Sequence, residues 1–110
     1  MTVKNLCDSL SLKVLAGENA MNREINGCYI GDLLSWVMGK AKEGNIWLTV
    51  MGNINAIGVA SMLDLSCIIL TDNAWLDDEA KQKANKHSVC VLSTDKSSYE
   101  LAILIERLLI

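Results

Sequence analysis

The stretch NIWLTVMGNINAIGVASMLDLSCIIL, residues 45–70, decides the fold. Ile46 to Met51 is apolar throughout apart from Thr49, and Cys67 to Leu70 repeats that pattern. Between them lie a polar turn with Gly52, Asn53 and Asn55 and a segment of small residues, Ala56, Gly58, Ala60 and Ser61. Continuous apolar runs of strand length suit strands covered on both faces, as in parallel sheets. The stretch therefore reads as strand, turn, slim helix and strand, a βαβ unit. Ligands of open parallel sheets bind where strands hand over to helices. The turn at residues 52–55 is thus the first place to expect one.

Working outward, Thr2 is a good helix N-cap, and Val3, Leu6, Cys7 and Leu10 fall at i, i+3, i+4 and i+7, which predicts a helix over residues 2–10. Leu12, Val14 and Ala16 alternate with Ser11, Lys13 and Leu15 before Gly17, a pattern for a short edge strand. A further strand is expected over residues 24–30, then a short helix capped by Asp32 and closed by Gly39 or Gly44. Beyond the central unit, Thr71, Asp72 and Asn73 form a second polar ledge, and Asp77 is placed to cap a charged helix over residues 78–86. Residues 88–92 predict a strand, Ser93, Thr94 and Asp95 a third ledge, and Ser97 or Ser98 the start of a last helix reaching Leu109. Strands alternating with helices imply an α/β fold, a single domain over residues 1–110 with a mainly parallel sheet and helices on both faces. Right-handed crossovers would bring Gly52, Thr71 and Ser93 to one edge of that sheet.

Composition narrows the function. The chain has 110 residues, 51% of them hydrophobic, enough for one packed core. Its net charge of −3, with ten basic residues scattered among thirteen acidic ones, argues against nucleic acid, whose binders carry a Lys/Arg-rich face. The longest apolar runs fall far short of the roughly 20 residues of a membrane helix. The opening residues, MTVKNLCDSL, hold no apolar signal core, so a cytoplasmic location is expected. Cys7, Cys28, Cys67 and Cys90 form no CxxC pair and all lie in apolar stretches, as buried reduced thiols do.

Each candidate site has a structural alternative. At Gly52, Asn53 and Asn55 a helix N-terminus offers free amide donors to a small polar ligand, although an Asn there also caps the helix and a Gly also eases the turn. The spacing from Gly52 to Gly58 matches neither a Walker loop nor a dinucleotide fingerprint, so no nucleotide cofactor is indicated by motif. Thr71 and Asp72, and Ser93 and Thr94, supply hydroxyl and carboxylate groups at the next strand ends, where turn formation is the alternative role. A small enzyme acting through loop carboxylates would use Asp72 or Asp95, although loops also favour Asp for local hydrogen bonding. His87, the one histidine, suits a solvated helix-end cation, and with no spaced partners it indicates no metal. Trp36, Trp47 and Trp75 are expected in the core or an interface rather than as base-stacking groups. In the last helix Leu101, Leu104, Ile105 and Leu108 share one side, whereas Tyr99, Ile103 and Ile110 lie on roughly the other. A helix apolar on two sides needs two partners, which points to a homodimer interface or to a cover from the N-terminal segment.

Nearly the whole chain resembles the DRTGG domain family, a small α/β module found alone and as a middle segment of phosphotransacetylases, and related to the N-terminal domain of HPr kinase. The resembling segments are Gly31-Asp32-Leu33-Leu34, Glu43-Gly44-Asn45-Ile46-Trp47-Leu48-Thr49, Ala56-Ile57-Gly58-Val59-Ala60, Ile68-Ile69-Leu70-Thr71, Val91-Leu92-Ser93-Thr94-Asp95 and Tyr99-Glu100-Leu101-Ala102. Where the family's Asp-Arg signature is expected, this chain has Gly52-Asn53-Ile54-Asn55. The resemblance implies a dimeric regulatory or sensory module without catalytic residues or a cofactor. The alternative is an interaction subunit that docks through its last helix onto an enzyme or kinase. HPr kinase chemistry does not carry over, because its P-loop motif is missing here.

Overall fold

In the computed structural model, which describes residues 1–109, the two apolar runs become neighbouring parallel strands, β3 (Asn45–Thr49) and β4 (Cys67–Leu70). With β1 (Lys13–Ala16), β2 (Gly27–Ile30) and β5 (Val91–Ser93) they make a sheet in the order β1-β5-β4-β3-β2. β2 to β5 are parallel, whereas β1 lies antiparallel on the β5 edge, with a bulge between Val14 and Ala16. Helices α1 (Val3–Leu10), α2 (Leu34–Lys40), α3 (Ile54–Leu63), α4 (Asp78–His87) and α5 (Ser98–Leu109) complete the α/β fold.

The pleat explains why β3 and β4 are apolar at every step. Trp47, Ile68, Leu70 and Val91 face one way, onto Val37 of α2, Ala56, Ile57 and Ala60 of α3, and Ala80 and Ala84 of α4. Ile46, Leu48, Cys67, Ile69, Cys90 and Leu92 face the other, onto Val3, Leu6 and Cys7 of α1 and Leu101 and Ile105 of α5. Both faces are covered, as a parallel sheet requires. Successive β-α-β steps from β2 to β5 move in one direction, so right-handed crossovers stack α2, α3 and α4 on one face and leave the other to the terminal helices. The small residues of α3 serve close packing: Ala56 and Ala60 are buried against the sheet, and a Cβ on Gly58 would lie 3.3 Å from Lys83 Nζ of α4.

Several boundaries differ from the sequence reading, each for a local reason. The expected strand over residues 24–30 shortens to Gly27–Ile30, because Ile25 N donates to Met1 O and Asn26 N to Gly44 O instead of joining the sheet. β3 stops at Thr49: the Asp32 carboxylate takes the Val50 N–H at 3.1 Å, and Thr49 Oγ1 takes that of Met51 at 3.2 Å. Asp32 is therefore no helix cap, and Leu33 occupies that position. Gly39 lies inside α2, which ends at Lys40, and Gly44 sits in the following turn at φ 82°. Asp77 stands at the α4 N-cap without a side-chain bond to the helix. Ser88, expected in a strand, is the left-handed C-cap of α4, with Val89 N still donating to Ala84 O, so β5 begins only at Val91.

The cysteines divide. Cys7, Cys67 and Cys90 are buried, and burial pushes the Cys90 thiol up to about 12. Cys28 is exposed on edge strand β2, contrary to expectation, since an edge strand has a neighbour on one side only. Partial desolvation around its sulfur, with the Glu106 carboxylate nearby, still raises it to about 11.

Candidate functional site

The carboxyl ends of β3, β4 and β5 lie side by side in the sheet, so the loops bearing Gly52, Thr71 and Ser93 emerge at one edge. The β4–α4 and β5–α5 loops are laced together there. Asp72 N donates to Lys96 O at 2.9 Å, Asn73 N to Thr94 O at 3.0 Å, and Thr94 N back to Leu70 O at 3.0 Å. This lacing holds Asp72 and Asn73 at φ 55° and 54°, a left-handed pair. Thr71 is fully buried, its hydroxyl 3.0 Å from that of Ser98 at the start of α5. Ser97 and Glu100 close the helix start reciprocally, Glu100 N donating to Ser97 Oγ and Ser97 N to the Glu100 carboxylate, both at 3.2 Å.

The β3–α3 loop is fixed differently. Asn53 caps α3, its Oδ1 accepting from Ala56 N at 3.0 Å, while Asn55 is exposed. Gly52 lies directly against the segment before α4: a Cβ there would stand 2.8 Å from the Trp75 carbonyl carbon and 2.9 Å from Leu76 Cα, and Gly52 O accepts from Asp77 N at 2.8 Å. Of the seven ligand residues expected from sequence, Asn53 through its Oδ1 and Thr71 through its hydroxyl thus serve the fold. Asn55, Asp72, Ser93 and Thr94 remain on or near the surface.

Two hollows open at the β1–β5 side of this edge. One, about 350 Å³, is lined by Lys13, Leu15, Asn73, Trp75, Asp78, Lys81 and Ser93, among others. The second, about 360 Å³, is lined by Ser11, Lys13, Asn73, Ser93, Thr94, Asp95 and Lys96, among others. Neither includes Gly52, Asn53 or Asn55. Lys13 enters because β1 is antiparallel: its first residue pairs with Ser93, the last of β5. That pairing has no signature in a single sequence. Of the three tryptophans expected in the core or an interface, Trp47 is in the core, with its Nε1 donating to Gly31 O at 2.8 Å, whereas Trp75, 76% exposed, and Trp36 lie on the surface of the chain.

Elsewhere, His87 is exposed at the end of α4, and the described residues contain no group of three or more His, Cys, Asp or Glu able to hold a metal. No described helix is long and apolar enough to cross a membrane. On α5, Leu101 and Ile105 are buried, Tyr99 and Ile103 are exposed, and a shallow hollow of about 480 Å³ runs along Tyr99, Ala102, Ile103, Glu106 and Arg107. Ile110, the third expected interface residue, lies outside the described residues.

The family model of the DRTGG domain matches residues 5–108. Among solved structures, the fold is similar to the CBS and DRTGG domains of the regulatory region of Clostridium perfringens pyrophosphatase, complexed with its activator diadenosine tetraphosphate. The TM-score is 0.75 at 19% identity over 94% of this chain, which spans 45% of that one. No curated protein matches.

Proposed function

Because the chain belongs to the DRTGG domain family, we propose that it is a non-catalytic regulatory module that binds a small polar ligand at the carboxyl ends of its parallel strands. The observation that carries this reading is the lacing of the β4–α4 and β5–α5 loops, which presents Asp72, Asn73, Ser93 and Thr94 as one ordered rim beside two hollows. A preformed concave site with a few convergent polar groups is what a small-molecule pocket needs. The similar pyrophosphatase region, crystallised with a nucleotide activator, makes nucleotides the first class to test. Isothermal titration of the full chain with nucleotides, acyl phosphates and small anions should show one class binding, more weakly to Ser93→Ala. Failure of every compound to bind contradicts the reading.

A second reading rests on α5, where Tyr99 is 76% exposed and Ile103 borders the shallow apolar hollow. That face would pair two copies of the chain in the cytoplasm, or dock one onto an enzyme or kinase. Ile103→Glu should then lower the mass measured by light scattering, or abolish capture of a partner, while leaving ligand binding intact. Unchanged mass and unchanged capture contradict it.

A further inference from the structure

The two hollows at the β1–β5 end of the sheet share Lys13, Asn73 and Ser93, so they are halves of one groove. Their linings differ. The first half carries Leu15, Ala74 and Leu76 beside Trp75, an indole 76% exposed on a rim where nothing in the fold requires it. The second carries hydroxyls and Lys96 and almost no apolar surface beyond Leu10. Three lysines, Lys13, Lys81 and Lys96, against the carboxylates Asp78 and Asp95 leave the groove with one net positive charge, in a chain whose total is −3. None of these five groups forms a salt bridge among the described residues. The Ser93 hydroxyl and Asn73 carboxamide likewise make no hydrogen bond among them. The backbone amides of Asp72, Asn73 and Thr94 are consumed by the lacing, so these three offer no donor to an anion.

We propose, building on the reading above, that this groove binds a nucleoside phosphate, with the base packed on the Trp75 indole and the phosphate held by Lys13 and Lys96 beside the Ser93 hydroxyl. An exposed aromatic accepts the flat face of a base, and lysine ammonium groups complement a phosphate as point charges. Each half of the groove falls at the lower end of the volumes of small-molecule sites, and together they suit a mononucleotide. Asn73 stands between the halves, where its free carboxamide reaches a ribose hydroxyl or a base edge.

The test is isothermal titration of the full chain with AMP, adenosine and inorganic phosphate separately, repeated with Lys13→Glu, Lys96→Glu, Trp75→Ala and Asn55→Ala. All four side chains are at least partly exposed, and circular dichroism melts establish that each variant folds. AMP should bind more tightly than adenosine or phosphate. Trp75→Ala should weaken AMP about tenfold or more, as loss of one stacked base does, and each lysine reversal should weaken AMP and phosphate while sparing adenosine. Asn55→Ala should have no effect. If AMP binds and only Asn55→Ala weakens it, the ligand sits at the β3 end and this inference falls while the regulatory reading stands. If AMP does not bind but an acyl phosphate or simple anion does, the ligand class is overturned. If nothing binds, both readings fall together.

Discussion

Replacing Gly52 by alanine separates a rim that is mechanically locked from one that is merely adjacent. Gly52 needs no positive φ, so its requirement is spatial. An added Cβ would overlap the Trp75 carbonyl and stand 2.9 Å from Leu76 Cα, which are backbone atoms that no rotamer change can move. The segment before α4 must shift, straining the 2.8 Å bond from Asp77 N to Gly52 O and the packing of Leu76 in the core beneath. Overpacking of this kind costs about 1–3 kcal/mol, and a weakened hydrogen bond adds about 1 kcal/mol. The expected loss is about 2–4 kcal/mol, or a fall in Tm of about 10 °C or more for a domain of this size. Gly39→Ala is the control: a Cβ there meets nothing within 4 Å, and a glycine inside α2 should stabilise by about 0.5–1 kcal/mol when replaced. Urea unfolding of both variants is the assay. A Gly52→Ala stability within about 0.5 kcal/mol of the unaltered chain would refute the close approach and the locked rim with it.

Four further outcomes follow from named residues. At Asp72, held at φ 55°, glycine should be neutral or stabilising by up to about 1 kcal/mol, whereas Asp72→Val should cost about 1–2 kcal/mol, because a β-branched side chain is worst in that region; equal stabilities in urea would argue against the left-handed pair. Asp32→Ala removes the acceptor for both Thr49 Oγ1, at 2.7 Å, and Val50 N, leaves a buried hydroxyl proton unpaired, and should cost about 1–3 kcal/mol; Asp32→Asn should recover part of that loss. In the folded chain Ellman's reagent should reach Cys28 alone among the four cysteines. It should react slowly, since moving the thiol from 9.0 to about 11 cuts its thiolate at pH 8 about a hundredfold. Because the folded state favours the neutral thiol, this shift and the larger one at Cys90 stabilise fully below pH 9, and that contribution is lost as pH rises toward about 11 and 12 respectively; a melting temperature flat from pH 8 to 11 would contradict both.

How far the sequence reached depends on which interactions set each feature. The β3 and β4 runs are apolar because both their faces are covered, so periodicity alone revealed a parallel sheet, and Thr2 capping α1 through Asn5 N was equally local. Boundaries failed where a distant partner intervened. Asp32 caps no helix because Thr49 and Val50 are its partners, and Ile25 and Asn26 leave β2 because Met1 and Gly44 take their amides. The rim followed from strand order and was legible as three ledges. Its inner geometry was not: Asn53 and Thr71 are occupied by the fold, while Lys13 reaches Ser93 only through an antiparallel edge pairing that no local pattern encodes. Trp75 shows the same limit, since nothing in its sequence neighbours distinguishes a surface indole from a core one.

Where a ligand touches the chain is read directly by a titration followed by amide and indole NMR chemical shifts. With AMP added to the full chain, saturable shifts should concentrate at Lys13, Asn73, the Trp75 indole N–H, Ser93 and Lys96, with α5 residues Tyr99 and Ile103 unmoved. Shifts confined to α5, or none for any compound of the nucleotide, acyl phosphate and anion classes, would contradict a ligand site at the carboxyl ends of the strands.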